Sequence, residues 1–463
     1  MKKRLLTPVV LILILLLPSL TLADRVDDYV SDFMAERHIP GAALAVMKNG
    51  KVVKIKGYGV ASLEHNVPVT TETVFEIGSV SKQMTAAGIL LLVEDGKVSL
   101  DEKISAYLPN TPETWRDVTV RHLLTHSAGI KSYSSLDGFS LLQRLKVADF
   151  IKLLAPHPLE YIPGERNIYS NTGFSLLAYI IEGRSGKPYI EFMRERIFRP
   201  LGMSKTDDRD PEYIIPNRAS GYEWRGDRYA GRNWDLTDLK GAGSIVSTIN
   251  DMVKWNMGLD GGTFLKPASK AEWWKRFVFN DGKPSVYGFG WRISDLRGHR
   301  LTGHTGQTAG FTSANYRYPD DGITVTVLTN TGESGNGGLM AARIAKFYAP
   351  SMSLAVMKPI TDPDTTRSQN ALKALIARLE NKPAADLMTP ALVQSVSTTN
   401  AKRTNQRIAA AGIPKALTLV GTETNNGKTT FLYRADSGKR LFLWRFGFDP
   451  TGLIEEMSLE EEE

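Results

Sequence analysis

Segments with strand character open and close residues 24–350, and helix-forming sequence fills the interval between them. Ala42–Met47 and Val52–Tyr58 flank Asn49-Gly50, a two-residue hairpin signal, and Val74–Ile77 is a further short apolar run. Strand patterns return at Tyr287–Ile293, Thr308–Tyr318 and Ile323–Thr329, the last two joined by a Pro319-Asp-Asp-Gly322 turn, and a helical pattern follows at Leu339–Phe347. Alternation and turn chemistry favour antiparallel pairing. One sheet built from such remote pieces predicts a mixed α+β fold. The mainly helical stretch from Asp101 to Trp234 then packs beside the sheet as a lobe, with a cleft between the two.

The chain has 463 residues, enough for more than one domain. The polar stretch Asp362–Ser368 reads as a linker, followed by helix formers at Gln369–Leu387. Strands are expected near Leu417–Thr422, Thr429–Tyr433, Leu441–Phe448 and Leu453–Leu459, so 365–463 reads as a small α+β accessory domain. Its Arg434, Lys439 and Arg440 read as a solvated strand face. The main domain is expected at 24–355, with its helical lobe at about 85–240. At the start, basic Met1-Lys-Lys-Arg4 precedes an apolar run, Leu5–Ala23, that ends in the small-residue pattern Thr21-Leu-Ala23. That is the pattern of a signal peptide over 1–23, and it predicts an exported protein, periplasmic or extracellular, not integral to the membrane once the leader is removed.

Several function classes fall away on composition. With no cysteine, disulfides, thiol catalysis and a lipid on an N-terminal cysteine are excluded. The formal net charge of +7 includes Lys2, Lys3 and Arg4, so loss of residues 1–23 leaves +4, with no basic block to support a nucleic-acid partner. The seven histidines form no His-Glu-x-x-His pattern. Neither a metal nor an organic cofactor is expected.

Three short motifs carry chemistry. In Ser79-Val-Ser-Lys82, residues three apart at the start of a helical pattern (Ser79–Glu94) share a face, so the Lys82 amine can sit beside the Ser79 hydroxyl, which is a poor nucleophile without such help. Such a match arises by chance about once or twice in a chain this long. In Tyr169-Ser-Asn171, the phenol can relay protons and the amide can hold a substrate group. In His304-Thr-Gly306, Gly306 permits close approach to the backbone, and the Gln307 N–H can pair with that of Ser79 as an oxyanion hole. Each motif occurs once, in this order, at a helix start, a loop in the helical lobe and a returning strand.

With these motifs the chain resembles the β-lactamase-related serine hydrolases: class C β-lactamases, DD-peptidases, D-aminopeptidases and their esterase relatives. The resemblance covers roughly 24–350 and extends to Phe75-Glu-Ile-Gly-Ser79, Val120-Arg-His-Leu-Leu-Thr-His-Ser-Ala-Gly129, Pro200-Leu-Gly-Met203, Gly241-Ala-Gly-Ser-Ile-Val-Ser247 and Gly303-His-Thr-Gly306 with Gly310-Phe311. It implies a β-lactamase/transpeptidase-like fold and a two-step acyl transfer through a Ser79 acyl-enzyme. Lys82 and Tyr169 would take the proton, Asn171 would orient the acyl side chain, and His304 with Thr305 would face the leaving group. The substrate is expected to be a D-amino-acid peptide, an ester or a β-lactam. Where β-lactamases of the family usually carry Lys-Thr-Gly, this chain has His304, a neutral hydrogen-bonding group in place of a permanent cation. That shifts weight towards the peptidase and esterase branches. A class C-type β-lactamase, or a protein that binds penicillin or senses peptidoglycan without turnover, is the alternative.

Overall fold

The computed structural model describes residues 22–137, 145–233, 236, 239–262, 264–332, 335–425 and 428–462. The leader expected at 1–23 lies, up to position 21, outside the described residues. The chain divides into two compact units, one running to Ser294 and resuming at Arg300–Phe347, the other formed by Asp295–His299 and Tyr348–Glu463.

In the first unit, helix α1 (Leu22–Arg37) precedes strands β1 (Gly41–Lys48), β2 (Lys51–Ser62), β3 (Val67–Pro68) and β4 (Val74–Glu76), and then helix α2 (Ser81–Glu94). Helices α3 (Val120–Leu124), α4 (Val147–Leu154), α5 (Asn171–Ser185) and α6 (Tyr189–Met193) follow. Short strands β5 (Asp207–Asp208), β6 (Tyr222–Trp224), β7 (Tyr229–Gly231) and β8 (Ile245–Thr248) lead to helices α7 (Ile249–Asp260) and α8 (Pro267–Trp273). The unit ends with β9 (Arg292–Leu296), β10 (His299–Thr308), β11 (Phe311–Tyr318), β12 (Ile323–Thr329) and helix α9 (Gly337–Tyr348).

The main sheet has the order β3-β2-β1-β12-β11-β10-β9. Its centre is β1 against β12, where Ala42 faces Thr329 and Lys48 faces Ile323 in antiparallel register. Both strands are buried almost throughout, which is why β1 reads as an unbroken apolar run and not as an alternation. Helix α2 is buried along nearly its whole length, and Gly88 lets α5 and α6 close on it: a Cβ there would meet Ile181 Cδ1 at 3.0 Å and Met193 Sδ at 3.2 Å. Helices dominate the interval between the two groups of strands, but it also holds the hairpin β6–β7 and a three-stranded sheet, β4-β8-β5. Those strands are two to four residues long, too short to show a two-residue period in the sequence.

Two expectations need correcting here. Tyr287–Ile293 is not a continuous strand: Tyr287 bridges Arg292 across a tight loop, and β9 begins at Arg292. Gly290 turns that loop at φ +72°, where a Cβ would lie 2.6 Å from the Lys82 carbonyl oxygen, so glycine is required for the loop to rest on α2. The expected strand Thr308–Tyr318 is also split: Thr308 ends the ten-residue strand β10, Ala309 and Gly310 turn, and β11 begins at Phe311, because Thr308 pairs back onto Phe311; the two glycines and few apolar residues of β10 conceal it from pattern reading.

The second unit contains helices α10 (Thr365–Leu379), α11 (Pro390–Val396) and α12 (Thr399–Ala409) and a sheet ordered β13 (Leu417–Asn425), β14 (Lys428–Asp436), β15 (Leu441–Phe448), β16 (Ile454–Glu462). Ala371, Ala374 and Leu375 of α10 share one core with Tyr433, Trp444 and Phe446 of the sheet. The supposed linker ends early, because the Asp364 side chain accepts from the Arg367 N–H and starts α10, and the helix stops at Leu379, short of the expected Leu387, where Asn381 turns the chain at φ +59°. Arg434 is not on a solvated face: its Nη1 donates to the carbonyls of Leu354, Ala355 and Met357. Among the described residues, no helix is long and apolar enough to cross a membrane, and no cluster of three or more His, Cys, Asp or Glu could hold a metal ion.

Candidate active site

Ser79 stands where β4 gives way to α2. Gly78–Val80 forms a 3-10 turn closed by the Val80 N–H on the Ile77 carbonyl, and α2 begins at Ser81. Gly78 has φ +50°, and a Cβ on it would come 2.7 Å from the Gln307 backbone nitrogen, so the chain before the serine lies directly against β10. One helical turn beyond, the fully buried Lys82 places its Nζ 3.0 Å from Ser79 Oγ. The same Nζ is 2.8 Å from Asn171 Oδ1 and 2.6 Å from the Ala242 carbonyl oxygen. The Tyr169 hydroxyl donates to Ser79 Oγ at 2.7 Å, and Lys82 Nζ lies 4.8 Å from the centre of the Tyr169 ring. Tyr169 is 45% exposed as a residue and lines the cleft, with its hydroxyl on Ser79 Oγ.

Protonation follows from this geometry. Burial holds the Lys82 amine well below the usual lysine range, and burial pushes the Tyr169 phenol up against a smaller opposing effect of its bond to Ser79. Both groups therefore favour their neutral forms. Asn171 Oδ1 and the Ala242 carbonyl oxygen can only accept, so they take the two hydrogens of a neutral amine. Its lone pair is then left for the Ser79 O–H. The Tyr169 hydroxyl supplies a donor to the same oxygen, where an alkoxide would develop.

The opposite wall is β10. A Cβ on Gly306 would lie 2.0 Å from the Ile77 carbonyl oxygen, an approach that only glycine allows. Ser313 Oγ donates to that same carbonyl at 2.8 Å, and Thr308 Oγ1 donates to Glu76 Oε2 at 2.7 Å, which ties the end of β10 to the segment leading into Ser79. Thr305 and Gln307 are exposed while His304, Gly306 and Thr308 are buried, the two-residue alternation of a strand. Both His304 and Thr305 line the cleft, the first as a buried ring and the second as an exposed side chain. His304 is 7% exposed, and both its nitrogens are engaged: Nδ1 with the Thr305 carbonyl oxygen at 2.5 Å and Nε2 with the Tyr287 hydroxyl at 2.5 Å. A carbonyl only accepts, so Nδ1 carries the proton, Nε2 accepts and Tyr287 donates. Burial pulls the His304 pKa down to about 3, so the ring stays neutral.

The motifs converge on a cleft of about 750 Å³, whose lining includes Ser79, Tyr169, Arg292, Thr305, Gln307 and Tyr316. Sequence reading missed four contributors: the Ala242 carbonyl, His126, Tyr287 and Arg292. His126 lies within the quoted Val120–Gly129 stretch, but no periodicity ties it to Tyr169. Nothing in the sequence separates Arg292 from the other basic residues.

A nucleophilic serine held between a buried amine and a phenol, on the wall of an open cleft, defines the class: this is a serine hydrolase. The chain belongs to the beta-lactamase family, whose model matches residues 26–349. It is 31% identical over 320 residues to a penicillin-binding protein of Bacillus subtilis (strain 168), covering 65% of this chain and 70% of that protein. It is 27% identical over 430 residues to a D-aminopeptidase of Gluconobacter oxydans (strain 621H), covering 89% of this chain and 79% of that protein. The solved D-amino acid amidase from Ochrobactrum anthropi SV3, complexed with L-phenylalanine amide, superposes with a TM-score of 0.63 at 28% identity, covering 72% of this chain and all of that one.

Proposed function

We propose that the protein hydrolyses amide or ester bonds through a Ser79 acyl-enzyme, and that its substrates are peptides ending in a D-amino acid with a free carboxylate. Ser79 Oγ attacks the scissile carbonyl while the neutral Lys82 amine takes its proton. The oxyanion forms against the backbone N–H groups of Ser79 and Gln307. As the carbon–nitrogen bond breaks, the proton held on Lys82 passes to the departing nitrogen, with the cleft-facing Tyr169 hydroxyl as the last donor. Water then repeats the sequence on the ester. The relatives named D-aminopeptidase and D-amino acid amidase support a D-configured substrate.

The observation that carries the carboxylate is Arg292. It is exposed on the cleft wall and has no ion pair or side-chain hydrogen bond among the described residues. Its charge reaches His304, Tyr287 and Tyr316 on the cleft wall. None of the described residues lining the cleft is acidic, which disfavours recognition of a free ammonium group and favours an anion. An Arg292 guanidinium beside a neutral His304 supplies the cation that the His304 substitution takes away.

The test compares an acyl-D-alanyl-D-alanine peptide with its C-terminal amide, following the Ser79 adduct by intact-protein mass spectrometry. The free acid should acylate faster by about 10- to 100-fold, the scale of one charge-assisted hydrogen bond at about 1.5–3 kcal/mol, and Arg292→Ala should abolish the difference. Equal rates on the two peptides would refute the carboxylate reading, and an adduct that never leaves would identify a binder without turnover. We further propose export, on the leader-type sequence at 1–23, and an accessory role for 365–463. N-terminal sequencing of the secreted protein should begin at Asp24, and a start at Met1 would refute export by cleavage.

A further inference from the structure

One residue grips the backbone on both sides of Tyr169. The carbonyl of His126 accepts from the Ile168 N–H at 3.1 Å, and its ring Nδ1 accepts from the Ser170 N–H at 3.2 Å. Between those two bonds the His126 ring packs on the Tyr169 ring, with centroids 4.4 Å apart and planes at 42°. Phe174 and Tyr287 close around it at 5.2 and 4.6 Å, and the Tyr161 hydroxyl braces the same carbonyl at 2.9 Å. The preceding residue joins in, with Asn167 Nδ2 donating to the Thr125 carbonyl at 2.5 Å.

Two features separate this from ordinary packing. His126 is buried in the left-handed backbone region, at φ +56°, a conformation uncommon outside glycine that turns its carbonyl and its ring towards the Tyr169 segment. Ser170, the residue after Tyr169, makes no side-chain cap bond to α5, and its backbone N–H is directed to the His126 ring. Because Nδ1 accepts, the neutral ring carries its proton on Nε2, which finds no partner among the described residues. Burial holds the His126 imidazole well below the usual histidine range and keeps the ring neutral, so the grip does not titrate with the chemistry next to it.

We propose that His126 is a positioning residue that sets the Tyr169 hydroxyl on Ser79 Oγ and acts on catalysis through Tyr169 alone. This rests on the roles given above to Ser79 and Tyr169. A phenol displaced by about an ångström loses rate on the order of 100-fold without a matching loss of substrate binding.

The experiment is a double-mutant cycle on the full chain with p-nitrophenyl acetate, an activated ester that keeps slow variants measurable by single-turnover acylation. His126→Phe keeps a flat ring and deletes the acceptor, whereas His126→Gln keeps an acceptor within reach of Ser170 and deletes the ring. Each should lower the acylation rate by about 10- to 100-fold and leave KM within about twofold. In the Tyr169→Phe background, neither should lower the rate further. If both effects add in full to that of Tyr169→Phe, the positioning role is overturned and His126 serves the fold as a whole. If Tyr169→Phe alone acylates at the wild-type rate, the reading of Tyr169 fails first and the inference falls with it. Should His126→Phe not fold, the His126→Gln arm decides the question by the same criterion.

Discussion

Replacing Lys82 by methionine removes the amine while nearly keeping the length of the side chain, and its consequences can be worked from three distances. The amine engages Ser79 Oγ at 3.0 Å, Asn171 Oδ1 at 2.8 Å and the Ala242 carbonyl at 2.6 Å. Methionine leaves the last two acceptors without a donor, at about 1–3 kcal/mol each, offset in part because a buried titratable amine is gone, for a net destabilisation of about 2–4 kcal/mol. Catalysis loses its base, worth about 100- to 10,000-fold, or about 3–5 kcal/mol of barrier. Single-turnover acylation, followed by mass spectrometry on a variant shown folded by circular dichroism, separates the two effects. The wild-type kcat/KM should rise with pH as the depressed Lys82 pKa is passed, since only the neutral amine accepts a proton, and this acid limb should vanish in Lys82→Met. A folded Lys82→Met protein that acylates within tenfold of wild type, or that keeps the limb, would refute the assignment of the base.

Two further substitutions probe the seam between β4 and β10. Gly306→Ala places a Cβ 2.0 Å from the Ile77 carbonyl oxygen, which no side-chain rotation relieves. It should cost about 1–3 kcal/mol in thermal melts and slow acylation with an otherwise native circular dichroism spectrum, and wild-type rates would count against the close approach. Burial raises the Glu76 pKa above its usual 4.5, more than Thr308 and Arg209 lower it. The folded state thus binds its proton more tightly than the unfolded chain, and this contribution to stability is full below pH 4.5 and lost as pH rises through the elevated value. Plotted against pH, the Tm of wild type relative to Glu76→Gln should fall across that window, and a pH-independent difference would contradict it.

The local chemistry of the chain was more legible than its geometry. Asn49-Gly50, the Pro319–Gly322 turn and the apolar run of β1 announce themselves by turn residues and burial, and the Ser79, Tyr169 and His304 motifs do meet at one cleft. What escaped depends on contacts between remote segments. The strand β10 is held by its neighbour β11 and by glycines that admit other backbones, neither of which leaves a periodic trace. The Ala242 carbonyl belongs to every sequence equally, and Arg292 is set apart by its place on the cleft wall, which its letter does not reveal. Helix α12 was hidden because polar residues dominate Thr399–Ala409, and α11 because its 7 residues are too few to show a helical period. Arg434 looked solvated because carbonyl acceptors have no letter in a sequence.

The pairing of Ala42 with Thr329 sets a condition on synthesis. The hairpin of β1 and β2 is made early and must wait with one long apolar edge unpaired until β12 has emerged, because no earlier strand borders β1 on that side. The nucleophile is in the same position, since the strand bearing Gln307 arrives just before β12. A growing chain therefore has no working centre to misuse, but it carries a sticky border for most of its translation, and it is at that stage that a holdase chaperone would be needed most.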